Sequence, residues 1–262
     1  MEYSFQPFAV SAKQPNLDKT EKTYMAEVKR ACREFGVEIS CLNLDYAVDV
    51  LDKKSSKQFL QMLSKLSLVA DASGCERLSI AVKAGGNGAW RDAVEEVLNQ
   101  AREITVDKAL RMTMRLSTPQ EFRGQSLKHW RAFEPQDWRD MVAVCPGLSL
   151  SFSPADCVWL GIDYLTILSG LVNAIDYIIA HDIEINRDLQ SDSGLYGPLW
   201  WRYRRPGKGQ VDWRQLLELL KLYEFTGNVS IHLDDEFIGD DVDDIGDALT
   251  SSVKFLAPLL KG

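Results

Sequence analysis

The stretch Ala180 to Arg187, AHDIEINR, places a histidine, two carboxylates and an arginine together directly after the apolar run IDYII. Imidazole and carboxylate side chains can ligate a divalent cation, move a proton or hydrogen-bond a polar ligand. Only three histidines occur in the chain, so His181 and His232, the latter in SIHLDD, weigh heavily in any chemistry. With Asp156 they supply ligand types suited to zinc, although no pattern of residues that would orient such ligands accompanies them. The competing reading is structural: His181 ends a buried strand and is satisfied by neighbouring carboxylates. Both readings stand at the level of the residues.

Other chemical signals are weaker. RRPGKG (204–209) follows no strand and reads as a surface turn rather than a phosphate loop, and no GxGxxG or GxxxxGK[ST] follows a strand. LWWRYRR (Leu199 to Arg205) mixes aromatic and basic residues, which could stack on a sugar, form a protein interface or pack as a lid. Trp90 and Trp213 fall on helix faces and read as core. Five cysteines without CxxC spacing read as reduced, buried thiols of a cytoplasmic protein. A net charge of −8 disfavours a nucleic-acid partner. The N-terminus carries no basic-then-apolar secretion signal, and no apolar run approaches the ~20 residues of a membrane span.

These residues need elements to hold them. With 45% hydrophobic residues in 262, the chain can bury a sizeable core as a single domain over residues 1–262. Apolar runs alternate with helical stripes throughout. VEISCLNL, RLSIAVKA, ALRMTMRL, GLSLSFS, AIDYIIAHDIEI and NVSIHLDD read as strands, with EYSFQPF as a seventh and GGNG closing the second of these. Helical spacing runs through Phe59 to Ala70, Trp90 to Ile104, QDWRDMVAV, GIDYLTILSGLV, WRQLLELLKLYEF and DALTSSVKFLAPLL. Such alternation predicts parallel strands with crossover helices. Several strands alternate apolar with small or polar residues, as in Leu148, Leu150 and Phe152 against Ser149, Ser151 and Ser153. This favours a (β/α) TIM-type barrel over an open sheet. About seven strands are visible against the eight of a full barrel, so the first strand-helix unit is expected to be missing.

YRRPGKGQVDWRQLLELLKLYEFTGNVSIHLDDEF resembles the closing segment of xylose isomerase-like TIM barrels, the sugar and sugar-phosphate isomerases and epimerases. The likeness extends more weakly through LSLSFSPADCVWLGID and GCERLSIAVKAG to about Glu21. Active members are expected to hold a divalent metal, often manganese, with Glu, Asp, His and Glu from successive strands. The metal polarises substrate oxygens while the two glutamates move a proton between adjacent carbons.

Compared with that pattern, Arg115 stands where the first glutamate is expected, Ser153 for the aspartate, Asp156 for the histidine and His232 for the final glutamate. Only HDIEINR agrees, with His181 at the metal-histidine position, Glu184 at a family glutamate and Arg187 at a substrate-holding arginine. Arg115 offers no lone pair and would repel a cation. The resemblance therefore implies a divergent member without the metal tetrad and with no cofactor. His181, His232 and Glu184 are the catalytic candidates; Arg115, Arg187, Asp156 and Ser153 are the substrate-binding ones. The expected ligand is a small carbohydrate or related anion, bound at the C-terminal face of the barrel, with activity weak, altered or absent. Two alternatives are a metal-independent isomerase or epimerase with a remodelled His/Arg site, and a non-catalytic interaction subunit. A homo-oligomer is compatible with all three. A further possibility is that Arg115 pairs with Asp156 or Glu184.

Overall fold

The computed structural model describes residues 2–5, 16–83, 90–115, 134–195, 197 and 200–261. The GGNG turn and Leu199 lie outside the described residues. Those up to 151 form one compact unit and those from 152 a second.

The first unit alternates strand and helix: β1 (Glu2–Phe5), α1 (Lys19–Phe35), β2 (Cys41–Asp49), α2 (Lys53–Ser73), β3 (Arg77–Lys83), α3 (Trp90–Val106), β4 (Arg111–Arg115), α4 (Pro135–Val144) and β5 (Leu148–Phe152). Neighbours in sequence pair in parallel, β1 with β2 through to β4 with β5. The register brings Leu42, Leu78, Met112 and Leu148 into one row, all buried. The next row, Asn43, Ser79, Thr113 and Ser149, is polar, which is the alternation visible in the sequence. Phe59, Leu63, Leu66 and Ala70 of α2 are fully buried at helical spacing, as are Val94, Leu98 and Ala101 of α3. Asp18 and Glu21 form a reciprocal capping box at the start of α1, and Gly36 ends that helix in the left-handed conformation that favours glycine. Strand β2 begins at Cys41 rather than Val37, because its ladder starts where Cys41 meets Glu2 and Leu42 meets Leu78.

The second unit contains α5 (Pro154–Trp159), α6 (Tyr164–Leu171), a 3-10 turn (Val172–Ala174), β6 (Ile175–Ala180), β7 (Asp182–Ile185), α7 (Arg187–Ser193), β8 (Trp201–Arg204), α8 (Trp213–Leu222), β9 (Asn228–Ile231) and α9 (Val242–Lys261). Strands β6 and β9 pair in parallel, with Ile178 opposite Val229 and Ala180 opposite Ile231. The described residues thus hold seven parallel strands, one fewer than a full barrel.

AIDYIIAHDIEI is not one strand. It breaks at His181: β6 stops at Ala180, and β7 pairs antiparallel with β8, which lies within the aromatic and basic segment LWWRYRR. The break has a cause in Asp182. This fully buried carboxylate accepts hydrogen bonds from the backbone N–H groups of Ile183 (2.9 Å), Val211 (2.9 Å) and Gly207 (3.0 Å), and from the Trp213 indole (3.2 Å). A buried anion requires such a cage, because water no longer solvates it. The cage also accounts for PGKGQVDW. Gly207 turns with a φ of +83°, and a Cβ at Gly209 would collide with the Asp182 carboxylate and the Ile183 carbonyl. RRPGKG does follow a strand, β8, contrary to the sequence expectation, and it is a turn pinned by Asp182. Helix α9 begins before the expected Asp247 because Asp241 accepts the Asp244 N–H at 2.8 Å and starts the first turn early.

Candidate active site at His181

His181 occupies the link between β6 and β7, and its side chain is buried. Its Nε2 lies 2.8 Å from the Ser153 hydroxyl and its Nδ1 lies 3.1 Å from Asp234 Oδ2. An ionised carboxylate only accepts, so Nδ1 carries the proton toward Asp234. In the neutral imidazole Nε2 is then an acceptor. Ser153 Oγ already accepts the Asp156 N–H at 3.1 Å, which leaves its own hydrogen to point at Nε2. Ser153 holds this position because it caps α5 at the junction with β5. Asp234 reaches in from the segment after β9, with its side chain 54% exposed.

Strand β8 supplies the walls by its two-residue period. Trp201 and Tyr203 share one side. The Tyr203 ring stacks on His181 at 4.3 Å between centroids and 16° between planes, and its hydroxyl donates to Asp156 Oδ1. Trp201 meets Tyr203 edge-on at 5.2 Å and lies flat on Trp159 at 4.8 Å. Arg202 and Arg204 share the other side. Both guanidinium groups pair with Glu184, and they sit over the Phe237 ring at 4.4 and 4.7 Å. Arg202 also reaches Glu236 at 3.1 Å, while Arg204 Nε and the Arg205 N–H hold Asp235 at 3.2 and 3.0 Å. Hydrogen bonding from Arg202 holds the Glu184 carboxyl below its ordinary range. Burial pushes the Asp235 carboxyl up, but the Arg205 and Phe237 N–H groups and Arg204 outweigh it and leave it lowered.

His181, Ser153, Asp156 and His232 come together. The His232 ring stands edge-on to His181 at 6.0 Å, with Nδ1 3.9 Å from Asp234. Glu184 instead faces two arginines of the hairpin, and Arg187 opens α7 on the surface with its guanidinium on Gln190 at 2.8 Å. Asp156 has Tyr203 as a partner, and Glu184 has Arg202 and Arg204. Arg115 ends β4 in the first unit, opposite Ala81 and Ser151. Two contributors escaped the sequence reading. Asp234 was signalled only as the carboxylate two residues beyond His232. Tyr203 was signalled by the aromatic-basic alternation of WRYR, which is strand periodicity.

The residues present do not fit the divalent metal that the resemblance implies. Both nitrogens of His181 have protein partners, Glu184 is neutralised by arginine, and no cluster of three His, Cys, Asp or Glu side chains suited to a metal occurs among the described residues.

No protein-family model and no curated protein matches the sequence. Solved structures do. A xylose isomerase domain protein from Planctomyces limnophilus is 13% identical, aligns over 99% of this chain and 88% of its own, and has a TM-score of 0.68. An L-ribulose 3-epimerase is 10% identical over 99% and 83%, with a TM-score of 0.70. A family 2 AP endonuclease from Brucella melitensis is 12% identical over 98% and 86%, with a TM-score of 0.67. Neighbours this distant share a framework and differ in chemistry. The chain has the fold of the xylose isomerase-like (β/α) barrels.

Proposed function

We propose that the protein binds a small carbohydrate or a related anionic metabolite at the strand ends around His181, without a divalent metal, and that metal-dependent isomerisation or epimerisation is not its activity. The observation that carries this reading is the engagement of His181 by Ser153 on one nitrogen and Asp234 on the other. A histidine bonded in this way is an oriented hydrogen-bonding group rather than a metal ligand. The fold supports the ligand class, since neighbours include sugar isomerases and epimerases. Exposed Asp234 and half-buried His232 supply polar groups around His181, and Tyr203 and Trp201 supply aromatic faces, a combination suited to a polyol with one apolar face.

Isothermal titration of chelator-treated protein with a panel of ketoses, aldoses and sugar acids is the test. Saturable binding to one of them, weakened at least about 10-fold in His232→Ala or Trp201→Ala, is the expected outcome. Manganese-dependent epimerisation of a ketose would overturn the reading.

A further inference from the structure

The Ser153, His181 and Asp234 contacts have the connectivity of a nucleophile, a general base and an orienting carboxylate. We propose that these three residues form an acyl-transfer relay, in which Ser153 takes an acyl group from an ester and passes it to water. The proposal goes beyond the carbohydrate reading and does not depend on it.

Ser153 Oγ uses one lone pair on the Asp156 N–H and directs its hydrogen to His181 Nε2, so one lone pair remains for attack. His181 Nδ1 donates to Asp234, which fixes the tautomer that leaves Nε2 basic. Ser153 and His181 are 2% and 5% exposed, and the charge that develops on the imidazole is held by Asp234, which reaches the buried ring from the solvent side. Tyr203 stacks on the His181 ring, and Trp201 and Trp159 continue the aromatic group away from it. The class of substrate these aromatic side chains suit is an ester of an aryl or otherwise flat alcohol.

Each step balances. The Oγ lone pair attacks the carbonyl carbon and forms the new C–O bond while the hydroxyl proton passes to Nε2. On collapse the bond to the leaving alcohol breaks, and its oxygen takes the proton from Nε2. Water then repeats the sequence: its oxygen attacks the acyl carbon, its proton goes to Nε2, and the bond to Oγ breaks as Oγ recovers the proton. The net change is ester and water to acid and alcohol.

The test is incubation of the full chain with an alkyl fluorophosphonate, followed by intact mass and peptide mapping, with p-nitrophenyl acetate turnover measured in parallel. The expected result is one adduct per chain on Ser153, absent from Ser153→Ala, formed on the order of 100-fold more slowly in His181→Gln and on the order of 10-fold more slowly in Asp234→Asn. Asp234 is half-exposed and its substitution leaves the core intact, so that variant decides the matter even where His181→Gln fails to fold. No adduct on Ser153 of the folded protein, or an adduct rate unchanged in Asp234→Asn, overturns the proposal. Sugar binding is read by titration and is independent of either result.

Discussion

At the residue scale the site depends on one fully buried carboxylate, used for geometry. Asp182 accepts four N–H groups and so ties β7 to the PGKGQVDW turn and to Trp213 of α8. Asp182→Asn keeps the shape but turns an amide N–H₂ toward a cage of donors. A loss of roughly 2–4 kcal/mol in urea unfolding is expected, as for a buried acceptor removed from its partners. An unchanged midpoint would show that the cage does not carry the turn. The cysteines give a second check. Burial raises the Cys75, Cys145 and Cys157 thiols, and Cys41 is fully buried, whereas Cys32 is half-buried on α1. In the native protein a disulfide-exchange reagent should modify Cys32 quickly and the other four only on unfolding. Fast reaction of several thiols would contradict that burial.

At the element scale the β7–β8 hairpin and the segment after β9 are joined by charge. Arg202 and Arg204 clasp Glu184, Asp235 and Glu236 beside Phe237, which remains 61% exposed. The Glu184 and Asp235 carboxyls are lowered in the fold. A lowered folded value means the stabilisation is fully present above the unfolded carboxylate range near ~4 and is lost as pH falls through the folded values. Thermal unfolding should therefore show a declining Tm below about pH 4, with a shallower decline in Asp235→Asn. A parallel acid limb in the variant would remove Asp235 from the clasp. The same element explains the one large misreading of the strands. WRYR carries a strand period that its short length and arginine content concealed, and its partner DIEI looked like the continuation of β6.

At the scale of the whole molecule, the chain keeps the barrel framework of its structural neighbours with seven parallel strands among the described residues. No described helix is long and apolar enough to cross a membrane. A protein whose site does not fit a metal should unfold at the same temperature before and after exhaustive chelation, and added manganese should leave that temperature unchanged. A rise of several degrees with manganese would show a bound ion and reopen the metal chemistry.

The sequence by itself determined the strand-helix alternation, the alternate polar face of the strands, the count of seven parallel strands and the likeness to the sugar isomerase barrels. These are written in local periodicity and in segments such as PGKGQVDW, so they are legible without contacts. It also singled out His181 and Ser153, because the residue types at those strand ends depart from or keep the family pattern. Only the tertiary structure decided their partners. Hydrogen bonds between residues 28 positions apart, as for Ser153 with His181, and 53 apart, as for His181 with Asp234, leave no periodic trace. The same holds for Glu184, whose carboxylate meets Arg202 and Arg204 of β8 because β7 pairs with β8. Which nitrogen is donor and which acceptor, and hence what His181 can do, follows from that folding and from no local stretch of the chain.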